Sequence, residues 1–235
     1  MREAGRCTRM PARLAIFDVD GTLVDSTYHH ALAWQRAFAR HDLRIPMWRI
    51  HRAIGKGGDR LVPDLAGDEV ERDRGDALRD LQHDLYAELI DEVQPLDGAH
   101  ELLAAFKHDG WRVALASSGR PDEIERYLDL LDAHDLPDAV VSSSDVDSSK
   151  PAPDVLQLAL ERAAPDADPS DALMIGDATW DCEAARRAGM TPVGVLSGGF
   201  GREELEAAGA VAVFETLPRL TAAREQLLSR STTVR

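Results

Sequence analysis

Short apolar runs alternate with longer amphipathic stretches along the chain, most regularly after residue 95. Each run is apolar nearly throughout, which is typical of a strand buried on both faces of a parallel sheet. Strands are predicted at residues 14–19, 112–116, 139–142, 172–175, 192–196 and 211–214. Helices are predicted between them at residues 121–132, 153–163, 181–188 and 203–208. This alternation predicts an α/β fold built on a Rossmann-like, doubly wound parallel sheet.

Residues 25–94 interrupt this alternation, because they have helical periodicity and no convincing strand. Helices are predicted there at residues 26–40, 47–54 and 69–93, with Gly55-Lys56-Gly57-Gly58 as a glycine-rich loop between the second and the third. We therefore predict an inserted α-helical cap domain at residues 25–94. The α/β core domain is then formed by residues 12–24 and 95–235, and residues 1–11 are predicted to be a loose tail without an assigned function.

The charge of the chain narrows the classes of partner. The sequence has 27 Lys and Arg against 42 Asp and Glu, a formal net charge of −15 at pH 7. Such a surface repels nucleic acids and anionic membranes, so neither is expected as a partner. Two cysteines cannot build a disulfide framework, and no apolar run approaches the roughly 20 residues of a membrane-spanning helix. We expect a cytoplasmic monomer or homodimer, in which an anionic substrate would need a metal ion or local cations.

Two acidic residues, Asp18 and Asp20, end the first predicted strand and are followed by Gly21. In an open α/β sheet, ligands bind at the carboxyl ends of the strands. A spacing of two places both carboxylates on one side of an extended backbone, where they need a cation or a shared proton to coexist. A simple Asp-Gly turn with two solvated carboxylates is the alternative. A calcium loop of the EF-hand type fits less well, because its sixth position would be Leu23 instead of glycine.

Polar residues also follow the other predicted strands. They are Ser117, Ser118 and Gly119 after the second strand, Lys150 after the third, and Asp177 and Asp181 after the fourth. Because the carboxyl ends of parallel strands meet at one edge of the sheet, we expect these groups to converge on Asp18. A hydroxyl, a lysine and several carboxylates together suit a phosphate group held beside a metal ion. Taken singly, each could be a solvated surface residue or, for Asp181, a helix cap.

Four ordered motifs carry a resemblance to a known family. They are Asp18-Val19-Asp20-Gly21-Thr22, Ser117, Lys150-Pro151 and Gly176-Asp177-Ala178-Thr179-Trp180-Asp181. Together they resemble the motifs of the haloacid dehalogenase-like (HAD) hydrolase superfamily, and the resemblance spans residues 14–214. It implies that the helical insertion is a C1-type cap, most similar to those of the phosphoglycolate phosphatase-like and β-phosphoglucomutase-like groups. Asp20 argues against the dehalogenase branch, whose members lack a second acid at this place.

The resemblance implies a role for each motif residue. Asp18 would be the nucleophile that forms an aspartyl-phosphate, and Asp20 would be the general acid and base. Mg²⁺ would be bound by Asp18, the backbone carbonyl of Asp20 and Asp177, with Asp181 supporting these ligands. Lys150 would bridge Asp18 and the phosphoryl group. Donors to the phosphoryl oxygens would come from Ser117, Ser118 and Gly119.

Three cap residues are candidate substrate contacts by the same resemblance. Lys56 and Arg60 lie in or next to the glycine-rich loop, which faces the active site in related caps. His30 matches a histidine often seen on the first cap helix, with packing or a hinge role as the alternative. A β-phosphoglucomutase-like cap would present an arginine after the loop, whereas this chain has Gly58 there, so Arg60 or Lys56 would have to substitute.

We therefore expect a Mg²⁺-dependent phosphatase that acts on a small phosphorylated metabolite, either phosphoglycolate-like or a sugar phosphate. A β-phosphoglucomutase-like phosphomutase is the alternative, because it would use the same phosphorylated aspartate. A catalytically idle phosphate-binding protein is a third interpretation. It is disfavoured because such proteins typically lose the nucleophile or the acid, whereas Asp18 and Asp20 are both present.

Overall fold

A computed structural model describes residues 13–231 of the chain. The predicted loose tail at residues 1–11 lies outside the described residues. Within residues 13–231, no helix is both long enough and apolar enough to cross a membrane.

Six parallel strands form one sheet in the order β3-β2-β1-β4-β5-β6. The strands are β1 (Leu14–Phe17), β2 (Arg112–Ala116), β3 (Ala139–Val141), β4 (Ala172–Gly176), β5 (Thr191–Val195) and β6 (Ala212–Phe214). The strand order reverses between β1 and β4, and the crevice at such a reversal is where a doubly wound sheet binds its ligands. The predicted Rossmann-like sheet is confirmed, with every strand close to its predicted bounds.

Helices cover both faces of the sheet, and a group of them is inserted between β1 and β2. The inserted helices are α1 (Thr27–Arg40), α2 (Met47–His51), α3 (Gly58–Ala66) and α4 (Asp68–Ala87). The helices that follow are α5 (Ala99–His108), α6 (Pro121–Leu131), α7 (Asp154–Ala163), α8 (Thr179–Arg187), α9 (Arg202–Ala208) and α10 (Leu217–Ser231). The two ends of the insertion meet where the Leu96 N–H donates to the Leu23 carbonyl at 2.9 Å. The predicted helical insertion into an α/β core is therefore present.

Three helices, α3, α5 and α10, are absent from the sequence-based prediction. Helix α3 begins at Gly58, where a loop is expected, because Leu61 and Val62 on its inner face are fully buried. Helix α5 buries Leu102 and Phe106 on the face that packs against the sheet. Their spacing is that of an amphipathic helix, so this signal is readable in the sequence.

Some predicted helix bounds are wrong by a few residues. Helix α2 ends at His51 instead of residue 54, and α4 ends at Ala87 instead of residue 93, where a short 3₁₀ turn follows. Helix α8 begins at Thr179, two residues earlier than predicted. The reason is a cap, because the Asp181 carboxylate accepts a hydrogen bond from the Ala178 N–H at 3.1 Å.

The hydrophobic core lies on both faces of the sheet, as β1 illustrates. Leu14 and Ile16 belong to the cluster under α7 and α8, whereas Ala15 and Phe17 belong to the larger cluster with α1, α5 and α6. Phe17 meets Phe106 edge to face, with ring centroids 5.4 Å apart. Burial of a phenylalanine side chain stabilises the fold by about 1.5–3 kcal/mol. Strand β1 is therefore a rigid support for the residue that follows it.

Candidate active site

Asp18 lies at the centre of the site, directly after β1, and is almost fully buried. Its backbone N–H donates to the Ile175 carbonyl of β4 at 2.9 Å, which places it at the crevice between these strands. The ammonium of the fully buried Lys150 lies 2.6 Å from Asp18 Oδ1 and 2.8 Å from Asp181 Oδ1. One buried cation is thus held by two carboxylates, which offsets the cost of removing these charges from water.

The charges in this cluster shift one another's pKa values. Burial acts to lower the pKa of Lys150, but the carboxylates of Asp18 and Asp181 outweigh burial and raise it. Lys150 is therefore a fixed positive charge at neutral pH. Burial raises the pKa of Asp18 to about 7, opposed by Lys150 and reinforced by Asp181 and Asp20. A cation bound next to Asp18 would favour its charged, nucleophilic form.

Three buried carboxylates, those of Asp18, Asp177 and Asp181, form an acidic triad, with ligand atoms within 4.8 Å of one another. Asp18 Oδ2 is buried without a hydrogen-bond partner, while Asp177 Oδ1 accepts a 2.9 Å hydrogen bond from Thr22 Oγ1. Burial, reinforced by Asp181 and Asp18, raises the pKa of Asp177 well above its usual value. A divalent cation fits this set of hard oxygen donors, because it would relieve the repulsion among the three carboxylates.

The carboxylate of Asp20 belongs to a separate hydrogen-bond network. Its Oδ1 accepts from Ser26 Oγ at 2.6 Å and lies 3.0 Å from His30 Nε2, and its Oδ2 accepts from Ser117 Oγ at 3.2 Å. Burial acts to raise the pKa of Asp20, but His30 and Ser26 outweigh burial and lower this pKa to about 2. The Asp20 side chain therefore lies outside the acidic triad, and its predicted metal ligand is the backbone carbonyl.

His30, on α1, holds the Asp20 carboxylate from the side of the inserted helices. Its ring stacks on Tyr86 with centroids 3.7 Å apart, and the Tyr86 hydroxyl is hydrogen-bonded to that of Tyr127. Burial disfavours a charged imidazole, but Asp20 raises the pKa of His30. Asp20 therefore favours the protonated form of the His30 imidazole. The contacts of His30 with Asp20 suit a role in positioning this predicted acid and base residue, and the predicted substrate contact of His30 stays a prediction.

Ser117, Ser118 and Gly119 follow β2 at the same edge of the sheet. The Gly119 N–H donates to Ser117 Oγ at 2.9 Å, so the turn orients the hydroxyl that faces Asp20. Ser118 Oγ donates to the Gly55 carbonyl of the insertion at 3.2 Å. Ser118 and Gly119 also line the cavity next to Asp18. This turn therefore connects the core to the inserted helices at the mouth of the site.

A cavity of about 280 Å³ opens between the sheet edge and the inserted helices. Lys56 lines it, but the Lys56 ammonium is paired with Asp64 and lies 3.7 Å from the centre of the Trp180 ring. Arg60 is not among the described residues that line this cavity, and its guanidinium donates to Ser148 Oγ at 3.4 Å. Substrate contact by Lys56 and Arg60 stays a prediction.

Comparison with known proteins now identifies the family. The family model described as haloacid dehalogenase-like hydrolase matches residues 12–189. The chain belongs to the haloacid dehalogenase-like hydrolases. The resemblance drawn from the sequence motifs is therefore confirmed.

Relatives of this HAD hydrolase are similar over most of its length. Validoxylamine A 7'-phosphate phosphatase of Streptomyces hygroscopicus subsp. limoneus is 31% identical, over 79% of this chain and 86% of that protein. Fructose-1-phosphate phosphatase YqaB of Escherichia coli (strain K12) is 30% identical, over 77% of this chain and 94% of that protein. The solved structure of a hydrolase from Pseudomonas syringae has a TM-score of 0.85 and 34% identity, covering 93% of this chain and 99% of that chain.

Sequence reasoning misses several residues that shape the site of this HAD hydrolase. Thr22 and Ser26 lie in or beside the first motif, where hydroxyls next to two carboxylates are a readable signal. Tyr86 and Tyr127 lie on different helices, α4 and α6, and meet only in the folded chain. Gly198 follows β5 and lies outside the four sequence motifs.

Gly198 packs directly against a carboxylate of the acidic triad of this HAD hydrolase. A Cβ at this position would overlap Asp177 Oδ2. We expect Gly198→Ala to displace Asp177 and to weaken the binding of a divalent cation. For the native protein, Mg²⁺ at about 100 times its Kd should add about 2.7 kcal/mol of stability, seen as a rise in Tm. The variant should lose most of that rise.

Gly201→Ala is the matched control for this experiment. Its new methyl group would meet the flexible end of Glu204, at 3.2 Å, and no residue of the triad. The Mg²⁺-dependent rise in Tm should therefore be retained. An unchanged rise in Gly198→Ala would show that Asp177 does not hold the cation.

Proposed function

We propose that this hydrolase is a Mg²⁺-dependent phosphatase that removes the phosphate group from a small phosphorylated metabolite. The observation that carries the proposal is the buried Asp18 carboxylate, which is held by Lys150, forms the acidic triad with Asp177 and Asp181, and lies two residues from Asp20. A carboxylate nucleophile, a fixed cation and a separate acid and base residue suit hydrolysis through an aspartyl-phosphate. Two relatives named as phosphatases support the same reaction class.

In the proposed reaction, Asp18 attacks the phosphorus atom of the substrate. A bond from Asp18 to phosphorus forms while the bond from phosphorus to the leaving-group oxygen breaks. Asp20 gives a proton to that oxygen, and His30 Nε2, 3.0 Å from Asp20 Oδ1, is placed to pass a proton to Asp20 for this step and to take one back afterwards. Asp20 then takes a proton from the water that attacks the aspartyl-phosphate, which releases inorganic phosphate and restores Asp18.

Positive charge at the site must overcome the acidity of the protein as a whole. The formal net charge of −15 opposes the approach of a phosphate group. Asp18, Asp177 and Asp181, with the Asp20 backbone carbonyl, would hold Mg²⁺, which when bound offsets the charge of the phosphoryl oxygens. Lys150 adds a second, fixed positive charge next to Asp18. Both charges would lower the repulsion between an anionic nucleophile and an anionic substrate.

Phosphate release from a panel of phosphorylated metabolites tests this proposal. We expect turnover of at least one compound, a loss of at least about 100-fold when EDTA removes the metal ion, and recovery when Mg²⁺ is added. EDTA saturated with Mg²⁺ is the control for other effects of the chelator. Release that persists undiminished in EDTA would contradict the metal dependence. No release from any compound would contradict the phosphatase function.

The same assay separates a phosphatase from a phosphomutase. A phosphomutase would convert one sugar phosphate into its isomer with little net release of inorganic phosphate, whereas a phosphatase releases it stoichiometrically.

The cytoplasmic location and the monomeric or homodimeric state stay predictions from the sequence. Size-exclusion chromatography with light scattering would determine the second of these.

A further inference from the structure

The cationic side chains that line the cavity, among the described residues, are already paired with carboxylates. They are Lys56, Arg79 and Arg120, and His30, which also lines the cavity, lies 3.0 Å from the Asp20 carboxylate. Lys56 is paired with Asp64, and Arg120 donates to Asp80 at 2.7 Å. Each of these two cations therefore meets the cavity with its charge largely compensated.

Arg79, on α4, is the most completely engaged of the three. Its Nη1 donates to both carboxylate oxygens of Glu71 at 2.9 Å and to the Gly58 carbonyl at 3.3 Å, and its Nη2 donates to Asp76 at 2.7 Å. A Cβ at Gly58 would lie only 2.7 Å from Arg79 Cγ, so the missing side chain lets Arg79 pack against this turn. A second anionic group of a substrate would have to displace Glu71 to reach this guanidinium.

Acidic and neutral groups make up the rest of the polar lining. The carboxylates beyond Asp18 and Asp20 are those of Asp59, Glu123 and Asp147. The neutral hydrogen-bonding side chains are those of Gln82, Ser118, Ser143 and Ser149. A second phosphate or carboxylate in this space would face like charges, which costs free energy. Hydroxyl groups can donate to the carboxylates and exchange hydrogen bonds with the serines.

We infer that the leaving group of the substrate is a small hydroxyl-bearing group, such as a polyol or a sugar, without a second phosphate or carboxylate. This inference rests on the proposed phosphatase function and selects between its two candidate substrate classes, against phosphoglycolate-like acids. The cavity of about 280 Å³ is slightly smaller than the roughly 300–1,000 Å³ of ligand sites in general, in keeping with a small leaving group.

Two pairs of substrates that differ in charge and little in size test this inference. Glycerol 3-phosphate is compared with 3-phosphoglycerate, and 2-hydroxyethyl phosphate with 2-phosphoglycolate, so that a carboxylate replaces a hydroxymethyl group in each pair. We expect kcat/KM to be at least about tenfold higher for the uncharged leaving group in both pairs.

The outcomes separate this inference from the proposed function. Equal or higher kcat/KM for the two carboxylates would overturn the inference while the phosphatase function stands. No phosphate release from these four compounds or from the wider panel would overturn the proposed function, and this inference with it.

Glu71→Gln tests whether the pairing of Arg79 with carboxylates keeps it from binding an anionic group of the substrate. The substitution removes one of the two negative charges that hold the Arg79 guanidinium. We expect the kcat/KM ratio of 3-phosphoglycerate to glycerol 3-phosphate to rise about three- to tenfold, mainly through a lower KM for 3-phosphoglycerate. Glu69→Gln, an exposed position on the same helix, makes the same charge change and should leave the ratio unchanged. An unchanged ratio in Glu71→Gln, or an equal rise in both variants, would show that the pairing of Arg79 with Glu71 does not select against carboxylate substrates.

Discussion

Asp18→Asn is expected to lower phosphate release by a factor on the order of 10⁴ or more, because loss of an enzyme nucleophile has effects of this size. Asparagine is nearly isosteric with aspartate and keeps an oxygen that can accept a hydrogen bond from Lys150. In the native protein, Lys150 Nζ lies 2.6 Å from Asp18 Oδ1. The neutral amide oxygen is a poor nucleophile toward phosphorus. The variant should therefore fold normally and fail in chemistry, as measured by phosphate release at saturating Mg²⁺ together with Tm.

Asp25→Asn is the control, because Asp25 lies in the same segment and is exposed. It should retain turnover close to that of the native protein. Acid-quenched native protein should also contain phosphorylated Asp18, detectable by mass spectrometry of its peptides, and Asp18→Asn should not. Turnover of Asp18→Asn within tenfold of the native rate would exclude Asp18 as the nucleophile.

Lys150→Met should reduce both stability and turnover. Methionine fills a similar volume but leaves the buried carboxylates of Asp18 and Asp181 without their shared cation. Removing one partner of a buried ion pair typically lowers the free energy of unfolding by about 3–5 kcal/mol. Turnover should fall at least about 100-fold, because a fixed charge beside the phosphoryl group is lost. Urea unfolding in EDTA and phosphate release in Mg²⁺ measure the two effects.

Lys107→Met is the matched control, because Lys107 pairs with Asp138 at 2.9 Å in a partly exposed position. Exposed ion pairs contribute up to about 1 kcal/mol, so this variant should be close to native in stability and turnover. Mg²⁺ should restore part of the stability of Lys150→Met, since it supplies a positive charge to the same carboxylates. If Lys150→Met is as stable as Lys107→Met in EDTA, the buried cation does not stabilise the fold.

The meeting of Asp18, Lys150 and Asp177 could be predicted from the sequence because it needs only local patterns and one general rule. Each residue follows a recognisable apolar run, and the carboxyl ends of parallel strands share one edge of the sheet. The order of the strands is not needed for this conclusion. The same simplicity explains why the sheet and the helical insertion are predicted correctly.

Helix α3 shows where local patterns fail. It begins inside a glycine-rich run and contains Pro63, and both features argue against a helix. The full burial of Leu61 and Val62 outweighs these preferences. Such burial depends on the side chains of other helices that pack against Leu61 and Val62, and the sequence of α3 does not specify them.

The sequence by itself determined the chemistry of the sheet edge: a pair of carboxylates, a lysine and further acids placed after successive strands of an α/β fold. Only the tertiary structure decided which charges face the cavity uncompensated. With 27 basic and 42 acidic residues, each arginine has many potential partners along the chain. The pairing of Arg120, directly before α6, with Asp80 on α4 depends on a separation of 2.7 Å between groups 40 residues apart in the chain, because hydrogen bonds weaken steeply with distance and angle. Residue patterns along a chain do not contain that distance, because it arises only when α4 of the insertion lies next to α6 of the core.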